Sequence, residues 1–261
     1  EVNISAMCRE VFVPEEGHVM VRLDYSGQEN RWMAYFGTGD EGEFIRAKYR
    51  EDPDFDEHDF VVQQSGLLAD HDKKIARKYA KNIRFATAYG ASVKRIAKNN
   101  NWDAAKAKDI VTKILNSSPW FSITKETLVK SLSSGELNGI RTALQRFIIC
   151  HSKDVAYRFY NYLIQGSGAD QMKAGMGINY DFIKEQDLID SIIPILTVHD
   201  EMCYSVHPGC LSYITNIRRN METAIPVDVP FICDPEIGPN WAYTEAMKER
   251  DFEDREEDEE N

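Results

Sequence analysis

The stretch ILTVHDEMCYSV (Ile195–Val206) decides how this chain folds. Two runs of strand character, Ile193–Val198 and Glu201–Val206, are separated by His199-Asp200, which predicts a hairpin with polar residues at its tip. Working outward, VMVRLDYSGQENR (Val19–Arg31) has a related form: an apolar strand over Val19–Asp24 that closes on a carboxylate. Val11–Pro14 reads as a further strand, with Glu15–Gly17 as the turn between. A helical pattern begins at Gln28 and runs to Phe36. From Gly37 to Cys150 the chain reads as mostly helical, broken at Gly66, Gly90, Asn99–Asn101 and Pro119. Gly135–Phe147 reads as a turn and short hairpin. Helices are predicted over Lys153–Tyr162, Gly168–Glu185 and Leu211–Ala224, with a last strand at Val229–Cys233. Strands, a long helical stretch, then helices and strands again predict an α+β domain interrupted by a helical one.

At 261 residues, with 43% hydrophobic and 28% charged side chains, the chain can bury a core and hold more than one domain. No stretch approaches the roughly 20 apolar residues of a membrane span, and no signal segment opens it. It starts at Glu1, so a fragment or processed product is expected. Five scattered cysteines lack zinc-ligand spacing and read as buried thiols of a reducing, cytoplasmic compartment. The net charge of −12 argues at first against nucleic acid, but Asp251–Glu260 holds eight acids and one Arg, a net of −7 that leaves −5 elsewhere. Such a run reads as a solvated, disordered tail, taken here as residues 248–261.

Three features carry chemistry. Asp24 closes a buried strand, where a carboxylate is costly unless paired or metal-bound. Asp200 holds an equivalent place at the hairpin tip, with Glu201 beside it. Each alone reads more readily as a turn cap. Together, on adjacent strand ends, they could hold hard divalent ions such as Mg²⁺ for two-metal phosphoryl transfer. The third feature is DKKIARKYAKNIRFATAYG (Asp72–Gly90), where Arg77, Lys81, Phe85 and Tyr89 recur every fourth residue and so share a helix face. Two cations followed by two aromatics suit a triphosphate at one end and a flat base at the other. Lys74 and Arg84 add to the basic character of this helix.

In these residues the sequence resembles the family-A DNA polymerases, the group that contains bacterial DNA polymerase I and many phage replicases; a phage-type member is expected. Asp24, Tyr25, Ser26, Glu29 and Arg31 match its first motif. Arg77, Lys81, Phe85, Tyr89 and Gly90 match its second, and His199, Asp200 and Glu201 its third. Gln165-Gly166 in LIQGSGAD also fits, and the resemblance extends to Trp241.

The resemblance implies a palm over residues 1–35 and 151–247 and helical fingers over 36–150. It implies two Mg²⁺ ions held by Asp24, Asp200 and the Tyr25 carbonyl, with Glu201 close by as a less direct ligand. Arg77 and Lys81 would neutralise the triphosphate, with Lys81 counted as catalytic beside the two aspartates, and His58 would also reach the phosphates. Phe85 would stack on the incoming nucleotide and Tyr89 beside the nascent pair. Glu29 would exclude a ribose 2′-hydroxyl. Gln165, Asn161 and His199 would touch primer-template DNA. Base pairing would supply sequence choice, so no base-reading motif is needed.

The pattern departs from the family in two places. The family's thumb and exonuclease-like parts precede the position of Glu1, so a further segment or chain is a possible partner. An Arg usual four residues before Asn161 is Tyr157 here, with Arg158 next to it. Two alternatives stand beside a DNA polymerase: a binding or split subunit that needs another chain's thumb, and a single-subunit RNA polymerase relative.

Overall fold

The structure is a computed structural model that describes residues Ile4–Phe252. In chain order its elements are α1 (Ile4–Glu10), β1 (Val19–Tyr25), α2 (Gln28–Tyr35), α3 (Gly39–Glu51), α4 (Glu57–Ser65), α5 (Lys73–Ala88), α6 (Val93–Asn100), α7 (Ala104–Asn116) and α8 (Pro119–Ser134). There follow β2 (Gly139–Arg141), β3 (Phe147–Ile149), α9 (Phe159–Glu185), β4 (Ile192–Val198), β5 (Glu201–Val206), α10 (Ile214–Glu222), β6 (Cys233–Asn240) and β7 (Tyr243–Ala246). The predicted acidic tail lies outside the described residues from 253 onward. Its expected first residues are ordered: Glu249–Phe252 form a 3₁₀ turn, and the buried Asp251 carboxylate accepts from Lys248 N at 2.8 Å. The fold is α+β, and no described helix is long and apolar enough to cross a membrane.

The chain divides into two compact units. The first comprises the residues up to Gln28, Gly168–Pro226 and the chain from Phe231. Its core is a five-stranded sheet of order β4-β5-β1-β6-β7, antiparallel throughout. Register and pleat assign the faces. Arg22 pairs with Cys203 and Glu236, and Asp24 with Glu201 and Asp234, so these polar side chains share one face. Val21, Leu23, Tyr25, Met202 and Tyr204 fall on the other, apolar face, and all are buried. That face meets helices: Tyr204 Oη accepts from Asn179 on α9 at 3.1 Å, and Tyr25 Oη donates to the Met221 carbonyl on α10 at 2.6 Å.

The second unit comprises Glu29–Ser167 with Val227–Pro230. Five of its described helices open on side-chain or proline caps, α6 on Ser92, which accepts from Arg95 N. Asp56, Asp72 and Asp103 accept from Asp59 N, Ile75 N and Lys106 N, and Pro119 starts α8. The β2–β3 hairpin sits on a small core of Leu132, Ile140, Ala156, Phe159 and Leu163.

The structure corrects four of the predicted elements. Val11–Pro14 is not a strand; its Phe12 and Val13 are exposed, while the unpredicted α1 precedes it. The strand expected at Val229–Cys233 begins only at Cys233. The helix expected from Leu211 starts as a 3₁₀ turn over Pro208–Tyr213 before α10. The two separate helices expected over Lys153–Tyr162 and Gly168–Glu185 are one 27-residue α9, entered through a 3₁₀ turn at Lys153–Arg158. Within that helix Gly168 serves close approach: a Cβ there would lie 2.5 Å from Gln28 Oε1.

Candidate functional site

In the first unit the sheet register gathers like charges. Asp24 opposes Glu201 on one side and Asp234 on the other, an arrangement that disfavours folding unless something positive joins it. Asp200 precedes β5 directly, and its carbonyl accepts from Tyr25 N at 3.1 Å, which pins the hairpin tip to the end of β1. Burial pushes the half-buried Asp24 carboxyl up to about 7; the charges of Asp200 and Glu201 add to the rise, Arg22 opposes it, and Asp234 adds a smaller push. The tip itself is strained: His199 sits at φ 56°, a left-handed conformation that a side chain with a Cβ adopts at a cost.

These carboxylates are not equivalent. Glu201 is buried and engaged: Arg22 Nη1 lies 3.3 Å away, Trp241 Nε1 donates to it, and Cys203 Sγ donates at 3.4 Å. Arg22 also pairs with Glu236 at 2.7 Å. Glu201, expected near the metals, is thus held by protein donors. Asp24 and Asp200, whose charges act on each other, are the oxygen pair suited to a hard divalent ion. Among the described residues no three His, Cys, Asp or Glu side chains form a metal cage. Mg²⁺ is commonly bound by one or two carboxylates, with water and substrate phosphate completing its shell, so the donor set fits the implied ion.

In the second unit α5 presents the predicted stripe. Asp72 caps it, and Ala76, Ala80, Ile83 and Ala88 form its buried side. Arg77 is half-buried and already occupied, 2.6 Å from Asp56 Oδ2 and 3.1 Å from Asp59 Oδ1. Lys81 is exposed and has no ion-pair partner among the described residues. Phe85 stacks on Tyr89 at 6.3 Å and 21°. Tyr89 Oη lies 2.6 and 2.7 Å from the two Glu29 carboxylate oxygens, and Gln165 Nε2 donates to both residues at 3.3 Å. The structure therefore brings Glu29, Phe85, Tyr89 and Gln165 together, although 136 positions separate Glu29 from Gln165.

His58 and Asn161 are placed differently from a simple surface contact. His58 is buried, its ring against Asn30 Nδ2 at 3.1 Å and edge-on to Phe85. Burial, then Arg84, hold its imidazole neutral, with the pKa down to about 3. Asn161 has a buried Oδ1 without a hydrogen-bond partner. Tyr157 packs over Gly90: a Cβ on that residue, at φ +80°, would lie 2.6 Å from the ring. Arg158 Nε donates to Tyr157 Oη at 3.0 Å.

Sequence reading missed the supports. Arg84, taken as part of the basic character of α5, is buried and paired with buried Glu57. Glu57 also accepts from Trp120 Nε1 at 2.9 Å and Tyr49 Oη at 2.7 Å. The signal was available: Ala76, Ala80, Arg84 and Ala88 form a second every-fourth-residue stripe, and an arginine among alanines points inward. For Asp56, Asp59 and Trp241, no local pattern announces the partner.

One unit thus carries an antiparallel sheet with carboxylates at its strand ends, and the other a helix with a cation–aromatic stripe. The model of the family described as DNA polymerase family A matches residues 2–243, and the chain belongs to that family. It is 30% identical over 253 residues to DNA polymerase I of Caldicellulosiruptor bescii, covering 91% of this chain and 28% of that protein. It is 24% identical over 291 residues to the DNA-directed DNA polymerase of Pseudomonas phage M6, covering 93% of this chain and 41% of the relative. Among solved structures, the POL domain of Pol1 from M. smegmatis, in complex with DNA primer-template and dNTP, superposes with a TM-score of 0.78 at 24% identity, over 93% of this chain and 43% of that one. The chain thus spans well under half the length of these relatives. They include both bacterial and phage proteins, so the phage-type assignment stays an expectation.

Proposed function

We propose that this chain carries the nucleotidyl-transfer centre of a template-directed DNA polymerase, adding deoxynucleotides to a primer 3′-hydroxyl. The observation that carries the reading is the carboxylate row on β1, β5 and β6, where burial first, and then the charges of Asp200 and Glu201, push the Asp24 carboxyl up to about 7. Family membership supports it. Asp24 and Asp200, with the Tyr25 carbonyl, would hold two Mg²⁺ ions, which when bound lower the charge cost of phosphoryl transfer.

The rest of the chemistry falls to the chain's own groups. Lys81, exposed and unpaired among the described residues, is ready to neutralise triphosphate charge. Arg77 must exchange Asp56 and Asp59 for phosphate, so its contribution is conditional on substrate. Phe85 offers a ring for stacking. Glu29, fixed by Tyr89 and Gln165, forms a rigid wall against a 2′-hydroxyl. His58, buried and neutral, reads better as a support for Phe85 than as a phosphate ligand unless it moves. Gln165, Asn161 and His199 are proposed contacts to primer-template DNA. Glu201 is assigned to holding the cluster's geometry.

The test is single-turnover primer extension with Mg²⁺ and deoxynucleotides at high protein and DNA concentration. Extension that vanishes in Asp24→Ala and in Asp200→Ala supports the reading, and near-normal turnover in either variant would refute the metal assignment. A second reading, a subunit active only with a further segment such as a thumb, is favoured by the short span of the relatives covered. It predicts no extension by the chain alone and recovery when the relative's N-terminal portion is supplied. A strong preference for ribonucleotides would instead favour an RNA polymerase relative.

A further inference from the structure

Trp241, in the turn between β6 and β7, is held from three sides. Its backbone N–H donates to the Phe12 carbonyl at 3.1 Å, the Phe12 ring meets its indole edge-on at 5.5 Å, and the Arg9 guanidinium lies 4.6 Å over the ring. A second tie joins the same two segments, Tyr243 Oη donating to Glu10 at 2.6 Å. From this clamp the indole Nε1–H reaches Glu201, the residue that follows Asp200 and opposes Asp24. A half-buried indole can satisfy its N–H with water, so three-sided fixation toward a carboxylate is more than simple satisfaction of a donor.

We propose that Trp241 is a positioning residue for the metal-binding carboxylates and acts through Glu201; this rests on the reading of Asp24 and Asp200 as metal ligands. Among the described residues Glu201 has three protein donors. Arg22 is shared with Glu236, and a thiol is a weak donor, so among the described residues Trp241 is the one strong donor that serves Glu201 alone. Without it the Glu201 carboxylate, held only by the shared Arg22 and a weak thiol donor, would be free to turn toward a cation held by Asp24 and Asp200, adding a third anionic ligand where the fold provides two. Metal binding then tightens, and turnover slows because the ion shell that should open to substrate is filled by protein. The segment from Arg9 to Phe12 thereby gains a physical link to the catalytic carboxylates through one indole ring.

The experiment is a Mn²⁺ titration of the 261-residue chain without DNA, read by electron paramagnetic resonance, alongside primer-extension kinetics. Trp241→Phe keeps the ring contacts and removes the donor. Mn²⁺ affinity is expected to tighten about tenfold, the factor that corresponds to one lost hydrogen bond to a charged group. The same variant should lower kcat and leave the deoxynucleotide KM nearly unchanged. In a Glu201→Gln background the substitution should change neither quantity further. Trp241→His, which retains an N–H donor, should recover part of the wild-type behaviour.

If Trp241→Phe melts at assay temperature, Arg9→Gln, which loosens the indole from above, should shift Mn²⁺ affinity in the same direction. An unchanged affinity in a folded Trp241→Phe chain overturns the proposal, as does an equal effect in the Glu201→Gln background. A wild-type chain whose Mn²⁺ site is lost in Asp200→Ala yet indifferent to Trp241 overturns this link alone. A chain with no Asp200-dependent site overturns the metal reading with it.

Discussion

Replacing Asp24 by Asn should stabilise the protein while abolishing synthesis. The folded chain holds the Asp24 proton up to about 7, chiefly through burial and then through the charges of Asp200 and Glu201. An unfolded chain releases it near ~4. At about 1.4 kcal/mol per tenfold, that difference sets a ceiling of ~4 kcal/mol on the cost of the ionised side chain in the fold. Asp24 is only half-buried, and solvent screens such a group, so a realistic gain for the neutral amide is about 1–2 kcal/mol. For a chain of this size that is roughly 3–6 °C in Tm. The sign of the pH dependence follows from proton counting. Between about 4 and 7 the folded chain binds more protons than the unfolded one, so this group's contribution to stability falls as pH rises and the loss is complete above 7. The gap between Asp24→Asn and wild type should therefore be negligible below pH 4 and full at pH 8. The assay is urea or thermal unfolding in EDTA across that range. Mg²⁺ should then stabilise the wild type by mass action and leave the variant unmoved, narrowing the gap. A variant no more stable than wild type at pH 8, or a gap that ignores pH, would refute the reasoning.

Three further outcomes test the second unit. Glu57→Ala leaves Arg84 charged and unpaired in the core, and a loss of about 3–5 kcal/mol is expected in denaturant melts; an exposed-pair cost below ~1 kcal/mol would contradict the buried assignment. Gly90→Ala forces a Cβ into the Tyr157 ring at positive φ and should cost about 2–3 kcal/mol, of which Tyr157→Ala should recover the clash and leave the backbone cost of ~1–2 kcal/mol. Phe85→Tyr should ease acceptance of dideoxynucleotides relative to deoxynucleotides in competition extension assays, and an unchanged ratio would mean that the ring does not face the sugar.

The sequence by itself determined those parts of this protein that depend on spacing along one element. The hairpin around His199-Asp200 was legible because two strand-like runs flank a two-residue polar tip, and pairing Val198 with Glu201 admits little else. The α5 stripe was legible because a helix turns about 100° per residue, so every fourth position stays on one face. Motif spacing carried the family. Tertiary structure decided what depends on distant partners. Register between β1, β5 and β6 set Asp24 between Glu201 and Asp234, and no local pattern encodes a register between strands that lie some 180 to 210 positions apart. The same holds for Arg84, whose basic residue type suggested a surface and whose burial against Glu57 made it a strut. It holds for Glu201, which the motif groups with the aspartates and the fold binds to Arg22 and Trp241. A side chain's type fixes what it can bond to, but which partner it meets is settled only when the chain closes on itself, because desolvation and charge act through space and not along the sequence.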